Sequence, residues 1–386
     1  MSAPARLRLV YFLYYGAVGA YLPYFAAYLR GLGFTGEQIG RSQMVGPLAA
    51  APVALLWAQA ADRLGSPARA LRAATLWALV AAAFLPFASA PLAVAGALLA
   101  LGLGDRAVVP LLDSVTMERA RGPAGFSYAS VRLFGSLGYA AVAAALGVLL
   151  ALRGARPADP LVPWAFVACV AGYALASRRI PDSPPPGDRP RLAEAAALVR
   201  DPALLLVFAA VTVHWGATAP YHVLLGVLVR DLGLAPWVTG AAMATGVAAE
   251  VGALLAFPRL EQGLRTRGLF ALAFAGTAVR WLLCWRASSP AALVAVQLLH
   301  GLTFGVFWGA SVRTMTALVP PRLRATGQAL FSAVVFSGGN ALGYELAGRG
   351  YDHYGSVAPL FAWSAAVELV PLAVALLAFG RGRLAR

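Results

Sequence analysis

Apolar runs of about twenty residues follow one another along the whole chain, separated by short polar turns rich in Arg, Pro and Gly. At 1.5 Å rise per residue, about 20 apolar residues cross the ~30 Å hydrocarbon core of a bilayer. The pattern predicts twelve spans, at 9–30, 40–60, 70–88, 91–112, 131–152, 161–177, 203–229, 237–257, 268–286, 290–313, 325–347 and 356–379. The expected fold class is an all-α integral membrane protein. After the sixth span comes Ser177-Arg178-Arg179-Ile180-Pro181-Asp182-Ser183-Pro184-Pro185-Pro186-Gly187-Asp188, polar and proline-rich, which predicts a linker. The expected organisation is a six-helix bundle at 1–177, a linker at 178–202 and a second six-helix bundle at 203–386. No cleavable leader is expected, because the first apolar run is long and Leu22-Pro23-Tyr24 is not a small-residue cleavage site.

The two halves echo each other. Arg30-Gly31-Leu32-Gly33 with Gly40 recurs as Arg230-Asp231-Leu232-Gly233 with Gly240, and Pro23-Tyr24 and Pro220-Tyr221 precede the two copies. Both copies close the first span of a half. Pseudo-symmetric six-span repeats are a transporter plan, with solute held near the midplane where the repeats meet.

Composition fits a bilayer and changes one reading. Charged residues make up 12% of the chain and apolar residues 60%, against about 25% charged in a soluble domain. A net charge of +15 suggests nucleic acid, but its distribution argues for topology. All 31 basic residues are Arg. With the N-terminus in the cytoplasm, only Arg30, Arg41, Arg153, Arg156, Arg230, Arg286 and Arg349 fall on the far side. That bias is the positive-inside rule; it predicts both termini in the cytoplasm of a multi-pass inner-membrane protein, with no nucleic-acid partner. Cys169 and Cys284 lie in separate spans and read as apolar filler. The histidines His214, His222, His300 and His353 lack metal-ligand spacing, and no phosphate-binding glycine loop with Lys occurs. No cofactor and no metal are expected, and no enzyme.

Chemistry concentrates where lipid should surround the chain. Asp113, Arg132, Glu250, Arg280 and His300 lie inside or at the edge of apolar spans. A charge at bilayer depth costs at least ~2.5–3.5 kcal/mol, so such residues are paired or functional. Spans 4 and 5 turn near Gly122, which sets Asp113 and Arg132 at matching depth; spans 9 and 10 turn near Ser289–Pro290, which does the same for Arg280 and His300, roughly 15 Å from the outer end. Two clusters are predicted: Asp113–Arg132, and Glu250–Arg280–His300. The plain alternative is that each pair locks two helices together. Asp105-Arg106 reads as a local pair, and Glu345 and Glu368 receive no role.

Several motifs carry a family resemblance. Gly19-Ala20-Tyr21-Leu22-Pro23-Tyr24-Phe25 resembles the first-span signature of lactose permease and its relatives, and Asp62-Arg63-Leu64-Gly65 resembles the loop motif of the major facilitator superfamily. Pro110-Leu111-Leu112-Asp113 with Arg132-Leu133-Phe134-Gly135-Ser136 is similar to the carboxylate–arginine pair of that permease. Ala248-Ala249-Glu250, Val279-Arg280-Trp281, Val296-Gln297-Leu298-Leu299-His300 and Phe331-Ser332-Ala333 resemble the phenylpropionate permease group. The resemblance implies the major facilitator fold and proton-coupled import. It departs at Thr303, where lactose permease carries its proton-bearing carboxylate.

The expected function is therefore secondary active transport of a small organic solute by a monomeric carrier, with a proton as coupling ion. Glu250, Asp113 and His300 are the candidate proton-coupling residues. Arg132 and Arg280 offer the two-pronged geometry that suits a solute carboxylate. Tyr21, Tyr221 and Trp308 are the candidate aromatic lining, with Tyr14 on the same face as Tyr21, whereas Tyr11 and Trp237 read as interfacial anchors. The glycines Gly135 and Gly138, and Gly338-Gly339 with Gly343, read as sites of close helix contact. Sugar or nucleoside import and drug or metabolite efflux share the same plan. A membrane-embedded enzyme or a receptor-like scaffold is the different-class alternative.

Overall fold

The protein is seen in a computed structural model, which describes residues 3–120, 126–182, 198 and 200–380. The turn at Gly122 and most of the expected linker lie outside the described residues. Every regular element among the described residues is helical. The spans are 1, Pro4–Gly31; 3, Pro67–Phe87; 4, Pro91–Ala120; 5, Tyr128–Leu152; 7, Pro202–Asp231; 8, Trp237–Gly263; 9, Thr266–Arg286; 10, Pro290–Leu318; and 12, Ala358–Ala378. These nine are long and apolar enough to cross a membrane among the described residues. Spans 2 (Gly36–Arg63), 6 (Leu161–Ser177) and 11 (residues 324–354) complete the series. Span 6 is only 17 residues long, span 11 is divided into shorter helical pieces, and span 2 carries Glu37, Arg41, Gln43, Gln59, Asp62 and Arg63.

Several helices run past the apolar limits expected of them, because polar end turns remain helical outside hydrocarbon. Span 4 continues to Ala120, beyond the expected 112, and span 2 starts at Gly36 rather than 40. Thr35 opens span 2 with a capping box: its hydroxyl accepts from Gln38 N while the Gln38 side chain accepts from Thr35 N. Asp201 and Ser289 cap spans 7 and 10 in the same manner, each accepting from a backbone N–H of the first turn.

The repeated sequence signals produce repeated local structure. Span 1 breaks between Tyr21 and Phe25, around Pro23, and span 7 breaks at Thr218, just before Pro220. Proline lacks an N–H and its ring clashes with the preceding turn, so each break falls where the sequence places it. Both spans then end in the same reverse turn, Phe34 N donating to Leu29 O at 3.1 Å and Leu234 N to Val229 O at 2.9 Å. Gly33 at φ 91° and Gly233 at φ 67° supply the left-handed residue that this closure needs.

Two compact units emerge: Met1–Gly187 with Ala235–Gly240, and Asp188–Leu234 with Ala241–Arg386. In the first, span 1 packs on spans 5 and 6, and span 3 packs on spans 4 and 6. In the second, span 7 packs on spans 11 and 12, and span 9 packs on spans 10 and 12. The neighbour pattern thus recurs six spans on. Glycine permits the closest approaches. Gly138 lies against the Phe12 carbonyl, and Gly343 against the Gly216 carbonyl, with no room for a Cβ at either. Gly301, Gly305 and Gly309, spaced four apart on span 10, meet Ala249, Ala253 and Phe257 of span 8. Gly338 meets nothing within 4 Å, so close packing does not explain it.

Candidate functional site

In the first unit, acidic groups are held by tyrosines. Tyr11 donates to Asp113 Oδ1 at 2.5 Å and is fully buried, so it is a polar partner inside the bundle rather than the interfacial anchor expected. Trp237, by contrast, is 42% exposed at the start of span 8, as an anchor would be. Arg132 donates to the Tyr15 hydroxyl at 2.7 Å, and its guanidinium lies 4.1 Å from the Tyr15 ring centroid and 5.9 Å from that of Tyr11. Asp113 and Arg132 form no ion pair within 4 Å. The expected direct pair is instead bridged, with Tyr11 bonding the carboxylate by its hydroxyl and facing the cation with its ring. Asp105 likewise accepts from Tyr173 at 3.1 Å and Tyr14 at 3.4 Å, so its hydrogen-bond partners are phenols rather than the neighbouring Arg106. Tyr21 belongs to another group: it donates to Gln43 at 2.6 Å and stacks on Phe25 with ring centroids 4.6 Å apart. Tyr21 lies about 10 Å up the helix from Tyr14, which explains its separation from Asp113 and Arg132.

In the second unit, the expected Arg280–His300 contact is present and richer than expected. Arg280 is fully buried. It donates to His300 Nδ1 at 3.0 Å and to Gln297 Oε1 at 2.5 Å, and its guanidinium sits 4.1 Å from the Tyr221 ring centroid. Its Nε has no partner, and no carboxylate approaches it within 4 Å among the described residues. Since a guanidinium only donates, His300 Nδ1 must be the acceptor and the imidazole proton resides on Nε2. That Nε2 faces Glu250 Oε2 at 3.8 Å. Arg280 therefore fixes His300 as a neutral donor aimed at Glu250, because a second proton at Nδ1 would confront the guanidinium. A lysine at position 280 could not hold both acceptors in one plane.

An aromatic ladder extends from this cluster. His300 and Phe304 stack with planes 10° apart and centroids 6.0 Å apart, and Phe304 and Trp308 continue at 3° and 6.1 Å. Trp215 of span 7 packs on Phe304 at 5.8 Å and on Phe336 of span 11 at 4.6 Å. Trp308 thus belongs to an aromatic wall, and Tyr221 joins the arginine to it, its ring centroid 5.5 Å from that of His300.

One buried pair was not anticipated. His214 Nδ1 lies 2.9 Å from both Glu368 oxygens, and both residues are fully buried. The signal was present: Glu368 is the sole charged residue in Ala358–Ala378, and intramembrane charge is functional or paired by default. The sequence assigns no role of their own to Gln297, within the motif ending at His300, or to Tyr15, on span 1, since uncharged polar residues do not stand out in an apolar run. Glu345 receives Arg349 at 2.6 Å, four residues on along span 11.

Comparison with known proteins bears on the family and the fold. A family model described as "MFS_1 like family" matches residues 5–362. The maltose permease of Geobacillus stearothermophilus is 28% identical over 339 residues, covering 87% of this chain and 83% of the permease. The "Probable 3-phenylpropionic acid transporter" of Escherichia coli (strain K12) is 27% identical over 357 residues, covering 90% of this chain and 91% of that protein. The crystal structure of the nucleoside transporter NupG superposes with a TM-score of 0.83 at 16% identity, covering 99% of this chain and 100% of NupG.

Proposed function

The chain belongs to the MFS_1 like family, whose members are multi-pass membrane transporters rather than enzymes, and from that premise we propose that it is a proton-coupled secondary carrier of a small organic carboxylate. The observation that carries this reading is Arg280, a fully buried cation with an unpartnered Nε and no carboxylate within 4 Å among the described residues. Burying an unpaired charge is costly, so such a site favours an anion that completes it. The neighbouring ladder of His300, Phe304 and Trp308 supplies flat apolar surface for an aromatic or aliphatic body. Arg132, held by Tyr15, is a second donor of the same kind in the other unit. Tyr21 and Tyr221 line rather than bind, since their hydroxyls donate to Gln43 and Met243.

Glu250 is assigned the coupling proton, with His300 presenting its Nε2–H to the carboxylate. Asp113, already bonded by Tyr11, is the alternative. The carrier works by alternating access, as a monomer of two six-helix bundles in the inner membrane, with both termini cytoplasmic. Maltose is the specific competitor as solute, because a maltose permease is among the relatives. Proteoliposomes carrying the full chain decide between the two: with an imposed pH difference, radiolabelled 3-phenylpropionate accumulates and maltose does not. Accumulation of maltose alone would replace the carboxylate reading, and uptake of neither under any ion gradient would remove proton coupling of both solutes.

A further inference from the structure

His214 and Glu368 take no part in the site described above, yet they are among the most thoroughly buried polar groups of the second unit. His214 Nε2 lies 3.1 Å from the Thr303 carbonyl, and Nδ1 lies 2.9 Å from each oxygen of Glu368. Phe307 and Phe274 cover the imidazole, with ring centroids 4.4 and 5.1 Å away. Thr303 stands in a π-helical turn of span 10, Gly301–Val306, a form in which the regular carbonyl ladder is interrupted.

The contacts set a proton count. A carbonyl oxygen only accepts, so Nε2 must carry a hydrogen. The short contact between Nδ1 and the carboxyl then needs one more proton, on Nδ1 in an ion pair or on Glu368 in a neutral pair. Either way the site holds one proton beyond a neutral ring and a bare carboxylate. Without it a single imidazole N–H faces two acceptors on opposite sides. The ring must then turn a lone pair towards either Glu368 or the Thr303 carbonyl, and one bond is lost. The Trp281 indole N–H beside Glu368 is a fixed donor and cannot supply the missing proton.

The ionisable groups on the packed spans have partners elsewhere. His222 on span 7 is bonded to Thr218, Arg280 on span 9 to Gln297 and to His300 of span 10, and Glu345 on span 11 to Arg349. We propose that His214 and Glu368 form a second proton-binding site, separate from Glu250, whose loading ties spans 7, 10 and 12 together and whose release frees one of them. The site reaches the aromatic wall directly, since Trp215 follows His214 and packs on Phe304, Phe336 and His222. Only its consequence for transport rests on the carrier reading above; the protonation itself does not.

The test therefore reads protonation without solute. The full chain, labelled with ¹⁵N-histidine and reconstituted in lipid vesicles, is titrated by solid-state NMR, with the His214 signals assigned from their loss in His214→Asn. In the parent, Nε2 stays protonated at low pH, and a single alkaline step changes the His214 signals as the shared proton leaves. Glu368→Gln donates an amide N–H to Nδ1 and satisfies both bonds without a titrating proton, so the step disappears. Glu250→Gln leaves it unchanged. A His214 step that persists in Glu368→Gln, or that moves with Glu250→Gln, overturns the proposal. If Glu368→Gln does not fold, the parent decides: His214 signals that stay constant at every pH where the protein remains folded also overturn it. Absence of transport in the parent would count against the carrier reading and leave this site standing.

Discussion

Both units hold carboxylates among apolar helices, and they satisfy them with different chemistry. In the first unit Asp113 and Asp105 accept from Tyr11, Tyr14 and Tyr173. In the second, Glu368 and Glu250 face His214 and His300. A phenol with an ordinary pKa near 10 stays protonated throughout the physiological range and is a fixed donor, whereas each imidazole nitrogen can either donate or accept a proton towards a carboxylate. The neighbour pattern is repeated between the units, but the polar partners are not. The lesson is a division of labour: the tyrosine-held unit offers fixed polarity and a cation, and the histidine-held unit offers groups that can gain and lose protons.

The largest effect is expected at the arginines within the spans, Arg280 fully buried and Arg132 half-buried. Arg280→Lys should weaken binding of 3-phenylpropionate about 100-fold, ~2.7 kcal/mol, because one ammonium cannot keep the two directed hydrogen bonds and the ring contact of a planar fork. Arg132→Lys, which loses a single bond to Tyr15, should cost about tenfold. Calorimetry on each purified variant measures both. Two Lys variants binding as tightly as the parent would show that the arginines only lock helices.

A smaller effect is expected from removing a fixed donor. Tyr11→Phe deletes the hydroxyl on Asp113 and should lower unfolding stability by about 1.5–3 kcal/mol, the range for a hydrogen bond to a charged group. It should leave the pH dependence of transport where it was. A shifted transport profile in Tyr11→Phe would blur the distinction between the units, because Asp113 would then be titrating.

The smallest effect lies outside the spans. Asp182 accepts from Arg72 and Arg69, and these bonds hold its carboxyl below the usual carboxylate range. A depressed carboxylate contributes stability above its unfolded pKa and loses it as pH falls through the folded value. The melting temperature of Asp182→Asn should sit slightly below the parent at neutral pH and meet it in acid. A gap that widens in acid would contradict the sign.

Periodicity made the fold legible. Apolar run length set the spans, and the repeat ending in Gly33 and Gly233 marked the closures of spans 1 and 7, whose breaks lie beside the repeated Pro23 and Pro220. Hairpin register brought Arg280 to His300, because two antiparallel helices with a short turn leave little freedom in depth. The same register argument placed Asp113 near Arg132 but could not see the tyrosine between them, since it ignores which way a side chain points around its helix. Nor could it join His214 to Glu368, 154 residues apart on spans 7 and 12, whose proximity depends on bundle packing.

The division of labour is tested most directly by neutralising one carboxylate in each unit and driving transport with a pH difference alone. Glu250→Gln fixes a neutral state resembling the protonated carrier. In proteoliposomes it should exchange internal for external 3-phenylpropionate and fail to accumulate it, because accumulation requires the proton to leave. Asp113→Asn, whose parent carboxylate is bonded by a phenol, should still accumulate solute under the same gradient. If Glu250→Gln concentrates 3-phenylpropionate and Asp113→Asn does not, the coupling proton belongs to the tyrosine-held unit and the assignment is reversed.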